Sequence, residues 1–210
     1  MFCTSYKITY YSFKVILTLF RSIFGQKKAP SEPSYQYQNI LHFMEDDYLM
    51  IEIIPEENLN FIKQETQRIQ DFGKEHFDGT GFTEVTPIGE KSVKTIEKLI
   101  YFSDVEKIMI EVGLDRIQQV MMQWVGLLKG DKAPVGYGTN QYGLMYDLHS
   151  NLIKNIYIIG HIKDEDDRKK ITNALLKIGE SFNFIAVNWW RHEYCTLEKS
   201  ETIYEFVKNI

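Results

Sequence analysis

Residues 142–162 read YGLMYDLHSNLIKNIYIIGHI, and this stretch decides the fold class. Two apolar and aromatic runs, Tyr142–His149 and Asn155–Ile162, flank a more polar segment, Ser150–Lys154. Runs of this length and composition, joined by a short polar segment, are typical of a β-hairpin. The sequence therefore predicts two neighbouring antiparallel strands here.

A helix and a second strand pair follow this hairpin. The segment Asp164–Ile178 begins with four acidic residues, which favour a helix N-terminus, and Gly179 is placed to end the helix. The later elements are two strands and a closing helix, at Phe182–Trp190, Arg191–Leu197 and Ser200–Val207. The predicted order is β-β-α-β-β-α, an α+β fold in which an antiparallel sheet of hairpins carries packed helices.

Upstream of the hairpin, strand and helix signals alternate. Tyr48–Ile54 is β-rich, and Pro55 favours the first turn of a helix. Ser103 opens a capping box whose helix should stop at Gly113, and a second helix is predicted over Asp115–Leu128. We interpret this pair as an ordinary helical hairpin, because a DNA-reading pair does not suit an acidic domain.

The stretch Lys129–Gly143 contains four glycines and a proline, which predicts a surface loop. It lacks the Gly-Lys-Ser/Thr of a phosphate-binding loop, so nucleotide binding is not expected. Tyr is a good contact residue at protein interfaces. We therefore expect the loop to present Tyr137 and Tyr142 to a partner.

Residues 1–25 predict an amphipathic helix with a basic stripe. Their longest uncharged run between Lys14 and Arg21 is six residues, far short of the roughly 18–20 that cross a bilayer. A basic amphipathic helix can lie on an anionic membrane surface. The stripe recurs every seven residues, at Lys7, Lys14, Arg21 and Lys28.

The chain divides into three parts on composition. After the leader helix of residues 1–25, residues 26–38 contain two prolines and small polar residues, which predicts a flexible linker. Residues 39–210 are then expected to form a single α+β globular domain. Two cysteines far apart, Cys3 and Cys195, exclude a disulfide framework and favour a reducing compartment.

The formal net charge of −5 hides an uneven distribution. Residues 1–28 hold five of the 24 basic residues and no acid, which leaves 19 bases against 29 acids in residues 29–210. An acidic body argues against nucleic acid, because phosphate contacts require a basic surface. It favours a basic protein as partner.

The histidines support an alternative hypothesis, in which the protein is a small enzyme. The sequence lacks the His and Cys spacings of a metal site, so neither a metal nor a cofactor is expected. Asp147 and His149 lie on one side of the first hairpin strand, and His161 lies near the end of the second. If the strands bring the two histidines together, the three residues form a candidate acid–base site.

Partner contacts are expected from acids and tryptophans as well as from the two tyrosines. In the strand around Trp189 and Trp190 one indole faces the core and the other an interface. The acidic surface is expected to include Glu45, Asp46, Asp47, Asp164, Glu165, Asp166 and Asp167. The last four are also explained as the first turn of a helix, where acids compensate the dipole.

The C-terminal third resembles a known family. The strand FIAVNWW at residues 184–190, a second strand ending Thr196-Leu197-Glu198, and a helix with Ile203 and Phe206 look like the ends of small immunity proteins of bacterial polymorphic toxin systems. The resemblance implies a non-catalytic cytoplasmic protein that binds and blocks a toxin. The alternatives are a small enzyme using the 142–162 hairpin, or a scaffold at the inner face of the membrane.

Overall fold

The structure, a computed structural model, describes residues 39–130 and 133–210. The predicted leader helix, the linker and the basic stripe of Lys7, Lys14, Arg21 and Lys28 lie outside the described residues. Among the residues that are described, no helix has the length and apolar character needed to cross a membrane.

The described strands form two sheets. Their bounds are β1 Ile40–Phe43, β2 Ile51–Pro55, β3 Gln119–Met122, β4 Gly126–Leu127, β5 Val135–Gly138, β6 Tyr142–His149, β7 Leu152–Gly160, β8 Phe184–Asn188 and β9 Glu193–Thr196. The large sheet has the order β5-β6-β7-β2-β8-β9 and is antiparallel throughout. In the small sheet, β3 pairs parallel with β1 and antiparallel with β4.

Four α-helices accompany the sheets in the described chain, namely α1 Leu59–Glu75, α2 Phe102–Glu111, α3 Glu165–Phe182 and α4 Ser200–Lys208. Short 3-10 turns occur at Glu45–Asp47, Glu56–Asn58 and Thr95–Lys98. The α+β class predicted from the sequence is confirmed. From β6 onward the chain runs β6, β7, α3, β8, β9, α4.

Alternation along the strands gives the large sheet two different faces. The cross-strand row Tyr146, Ile156, Ile53 and Ala186 belongs to the largest apolar cluster, which also contains side chains of α2, α3 and α4. The next row, Met145, Tyr157, Glu52 and Val187, points to the opposite face. All five residues of β2 are buried, because both faces of this central strand are covered.

The opposite face is covered by two separate apolar clusters. One joins Met145 and Tyr157 to side chains of the small sheet, and the other joins Val187 to Ile62 of α1. Glu52 lies between them in the cross-strand row. A polar side chain therefore separates the two apolar clusters.

The prediction of a helix over Asp115–Leu128 is wrong. Gln119–Met122 is instead a strand, in which Val120 pairs with Leu41 and both are buried. A short apolar run fits either a helix or a buried strand by its periodicity. Residues 119–122 form a strand because they pair with β1, which lies almost eighty residues earlier in the chain.

Helix α3 begins as predicted but ends later. The Asp164 carboxylate accepts hydrogen bonds from the backbone N–H groups of Asp166 and Asp167, which caps the helix. The expectation that Gly179 ends the helix is wrong. The helix continues to Phe182 and is closed by Asn183 in the left-handed region, at φ 55°.

A buried carboxylate ties α1 to the loop that follows it. Glu65 is 7% exposed and accepts two hydrogen bonds from the Arg68 guanidinium and one, of 2.6 Å, from the Gly89 N–H. Arg68 also donates to the Pro87 carbonyl oxygen. The Arg68 guanidinium, more than the Gly89 N–H, lowers the pKa of Glu65, although burial opposes the shift.

Replacing Glu65 by glutamine is expected to lower the free energy of unfolding by about 1–2 kcal/mol at pH 7. Because the folded pKa of Glu65 is lowered, its stabilisation is complete above the unfolded value of about 4.3 and is lost as the pH falls through the folded pKa. The difference between the two proteins should therefore narrow below about pH 4. Urea denaturation at several pH values measures it; a constant difference would contradict the ionic contribution.

Candidate functional site

The hairpin keeps the two histidines apart. Ser150 and Asn151, at φ 50° and 67°, form a two-residue turn, so that His149 pairs with Leu152. His161 follows the opposite end of β7 and contacts the Ile210 backbone oxygen through Nδ1 at 3.1 Å. His161 lies nine residues after Leu152, the cross-strand partner of His149, so that at about 3.3 Å per residue the two histidines are roughly 25–30 Å apart. The predicted Asp147–His149–His161 site is therefore not assembled.

Asp147 is instead the centre of another polar cluster. Its carboxylate accepts hydrogen bonds from the Tyr48 hydroxyl at 2.5 Å, the Asn155 amide at 2.8 Å and the Tyr157 hydroxyl at 3.1 Å. Burial is the main reason that the pKa of Tyr48 and the pKa of Tyr157 are raised, and Asp147 adds to both shifts. Both hydroxyls thus stay protonated and donate to the carboxylate.

The two predicted tyrosine anchors are core residues, so this prediction is wrong. Tyr137 and Tyr142 are 3% and 1% exposed. Part of the predicted surface loop is instead β-strand, since Val135–Gly138 pairs with β6, which itself begins at Tyr142. The Tyr137 hydroxyl donates to Glu106, and burial together with this acid raises the pKa of Tyr137 to about 12.

One tryptophan of the pair is buried and the other exposed, as predicted, although both lie in the turn after β8 and not in the strand itself. Trp189 is 2% exposed and its indole N–H donates to Glu52 at 2.8 Å. Trp190 is 60% exposed. Only Trp190 of the pair is accessible to a partner in the described structure.

The acids at the start of α3 form contacts within their own helix. Asp164 is the cap, Glu165 lies near Arg168 and Lys169, and Asp166 lies near Lys169. Glu165 also accepts a hydrogen bond from the Tyr204 hydroxyl of α4. Asp167 completes the acidic first turn. Helix capping and dipole compensation account for these residues.

An exposed aromatic hairpin tip lies on the other side of the large sheet. Residues 123–125 connect β3 to β4, and Trp124 there has φ 70° and is 92% exposed. Val125 and Met44 are 63% and 57% exposed and line the same concave surface, of about 630 Å³. We call Met44, Trp124 and Val125 the Trp124 surface.

Acidic residues border the Trp124 surface. The 3-10 turn Glu45–Asp47 directly follows Met44, and its carboxylates form no ion pair with the described lysines, arginines or histidines. Asp47 instead accepts from the Met44 N–H. The turn therefore adds negative charge at the edge of an apolar patch.

A cleft of about 460 Å³ adjoins this surface and contains Asp147. It shares Phe43 and Met122 with the concavity of the Trp124 surface. Its polar lining includes Glu45, Asp147 and Lys154, and its apolar walls include Phe43, Met122, Leu128 and Leu148. We call it the Asp147 cleft.

A β-bulge brings Lys154 to the cleft. Asp147 pairs with Asn155 and Leu148 with Ile153, which leaves Lys154 without a partner in the ladder. An extra residue in one strand redirects the side chains beside it. Lys154 lines the Asp147 cleft and also the smaller neighbouring cavity beside Glu52.

That smaller cavity contains the ion pair between the buried Glu52 and the partly exposed Lys91. Glu52 is 2% exposed, and its carboxylate accepts from the Lys91 ammonium at 2.7 Å as well as from Trp189. No group of three or more potential metal ligands occurs among residues 39–130 and 133–210. The Asp147 cleft, by contrast, combines carboxylate acceptors with the aromatic rings of Phe43, Tyr48 and Tyr157, which are suited to binding.

Sequence reasoning missed both the Trp124 surface and the Asp147 cleft. The signal for the first is Trp124-Val125-Gly126 between two apolar runs, a hairpin tip that helical periodicity masked. No local pattern marks the cleft, because Tyr48 and Asp147 are 99 residues apart.

Comparisons with known proteins gave no match, whether to protein-family models, to curated proteins or to solved structures.

Proposed function

We propose that this protein is a non-catalytic binding protein, immunity- or antitoxin-like, which neutralises a basic partner protein such as a toxin. The exposure of Trp124 is the observation that carries the proposal. A left-handed backbone at a bulky residue costs on the order of 1–2 kcal/mol, and an exposed indole returns almost nothing to the fold. Burial of this indole against another protein explains the residue, since Trp is enriched among interface anchors.

Charge supports a basic partner. The carboxylates of Glu45, Asp46 and Asp47, which pair with no cation among the described residues, border the apolar patch, and the body as a whole is acidic. An apolar centre with a charged rim is the usual anatomy of a protein interface. Rim charges of one sign steer a partner of the opposite sign and speed its association.

Location is part of the proposal. The scarcity of cysteines favours the cytoplasm, a reducing compartment where disulfides are rare. The basic stripe of the leader supports weak contact with the inner face of the membrane. The order of strands and helices in the C-terminal third supports the hypothesis of an immunity-like protein over that of a membrane scaffold.

Replacing Trp124 by serine is expected to weaken partner binding by about 2 kcal/mol or more, mainly through faster dissociation. Reversing charge with Glu45→Lys and Asp46→Lys should slow association and flatten its salt dependence. Full-length protein captures partners from an extract of its own organism, and binding kinetics of the purified partner are then measured at two or three salt concentrations.

Matched control variants are available in the same chain. Val85 is also 92% exposed, and Asp166 is an exposed acid on the opposite side of the large sheet, so Val85→Ser and Asp166→Lys should leave the kinetics unchanged. An acidic partner, or a basic one whose binding ignores both Trp124 and the reversed acids, would defeat the proposal.

A further inference from the structure

The Asp147 carboxylate lies in the cleft with no cationic partner among the described residues. It forms no ion pair with any described lysine, arginine or histidine. Tyr48 and Asn155 donate to Oδ2, whereas Oδ1 accepts, from the residues that the structure describes, only the Tyr157 hydroxyl. A carboxylate has about four acceptor positions, so Oδ1 can accept a further donor.

The three donors also fix where that acceptor points. Tyr48 and Tyr157 contact each other edge to face, with ring centroids 5.1 Å apart, and both hydroxyls converge on Asp147. Asn155 is the cross-strand partner of Asp147 and holds it from the neighbouring strand. A carboxylate held in this way is already ordered before a ligand binds, which reduces the entropic cost of binding.

The surroundings of Asp147 favour a long side chain with a cationic end. Apolar walls, formed by Met122, Leu128 and Leu148, suit a methylene stem. The rings of Phe43 and Tyr48 add aromatic surface, to which cations are attracted. Glu45 supplies a second carboxylate to the same cleft.

We propose that the Asp147 cleft receives an arginine side chain of the basic partner; this inference rests on the proposed function. A guanidinium carries five N–H donors in a plane and can pair with two carboxylates at once, whereas an ammonium has three donors on one atom. The cleft shares Phe43 and Met122 with the Trp124 surface, so an arginine there belongs to the same interface. Arginine, tryptophan and tyrosine are the residues most enriched at the centre of interfaces.

Substitution of Lys154 tests whether the ligand of the cleft is a cation or an anion. Lys154 lines the cleft, and its positive charge would oppose an incoming cation, so that Lys154→Met should bind arginine several-fold more tightly. Asp147→Asn keeps the size and the acceptor oxygen but removes the charge, and should bind arginine about tenfold more weakly or worse. An anionic ligand would respond to both changes in the opposite direction.

The probe is N-acetyl-arginine methylamide, titrated into the full-length protein with methyl-labelled methionine and leucine and followed by NMR. Saturable shifts are expected for the methyl groups of Met122, Leu128 and Leu148. The neutral isostere N-acetyl-citrulline methylamide should give no saturable shift. Asp166→Asn, on the opposite side of the sheet, should match the wild type.

Glu45→Gln, at an exposed side chain, covers the case in which Asp147→Asn fails to fold, and should weaken arginine binding several-fold. Equal binding of citrulline, indifference to both acid substitutions, or weaker binding by Lys154→Met would each overturn the inference. Partner binding that still depends on Trp124 would then leave the proposed function intact. Loss of that dependence, with arginine still bound, would overturn the proposed function alone.

Discussion

Lys91→Met will lower the free energy of unfolding by about 3 kcal/mol or more at pH 7, one of the two largest effects expected in this chain. The substitution keeps the methylene stem of Lys91 but removes the only described cation within 4 Å of Glu52. The Glu52 carboxylate is 2% exposed and would keep only the Trp189 indole as a donor. A buried charge left without compensation carries most of its desolvation cost.

Urea denaturation of the full chain measures this effect, and a double-mutant cycle isolates it. Glu52→Gln removes the charge itself and should cost only about 1 kcal/mol, because Lys91 is 23% exposed and can turn to water. Adding Lys91→Met to Glu52→Gln should then cost little more.

Lys94→Met is the matched control for Lys91→Met. Its partner is the exposed Glu90, at 3.0 Å, so the loss should stay within about 0.5 kcal/mol. Equal losses at positions 91 and 94 would show that Glu52 is not held as the structure describes.

Gly179→Ala is expected to cost about 2–3 kcal/mol of the free energy of unfolding, although alanine is the better helix former by about 1 kcal/mol. A Cβ on residue 179 would lie 2.2 Å from the backbone oxygen and 2.5 Å from the Cβ of Leu197. Leu197 is itself 1% exposed and directly precedes the segment leading into α4. The backbone must move to admit the methyl group, since no flexible side chain can yield.

Gly73 in α1 provides the opposite case within the same protein. A Cβ there meets only the ring of Phe82 at 3.4 Å, an ordinary contact with a side chain that is 67% exposed. Gly73→Ala should therefore stabilise the fold by up to about 1 kcal/mol. Thermal and urea unfolding of both variants compare the signs directly, and a stabilising Gly179→Ala would mean that α3 lies farther from Leu197.

Gly179 and Gly73 show how much of a helix can be predicted from local sequence patterns. The start of α3 could be predicted because its four acidic residues favour a helix N-terminus within one turn of chain. The capping box predicted at Ser103 is wrong, since α2 begins at Phe102 with Tyr101 as its N-cap. The end of α3 could not be predicted, because the pattern that assigned Gly179 to a cap is equally consistent with a close approach of Leu197. Only the packing of α3 against a later segment distinguishes these two uses of glycine.

The candidate site shows the same division more sharply. The sequence indicated which strand residues were polar, including Asp147 and His149, and any antiparallel pairing of these two strands places His161 far from His149. It could not give the exact register, in which His149 pairs with Leu152. That register follows from a two-residue turn at Ser150 and Asn151. A turn three residues longer would have changed every cross-strand pair.

By itself the sequence determined the α+β class, a hairpin within residues 142–162, the start of α3 and the acidic charge of the body, because strand composition, acidic first turns and net charge are properties of short segments or of composition. Tertiary structure alone decided that β2 lies between β7 and β8, that Tyr48 reaches Asp147 and that Trp189 reaches Glu52. These contacts join residues 99 and 137 positions apart. They form only when the closure of long loops is offset by burial of the whole sheet, which no single segment encodes.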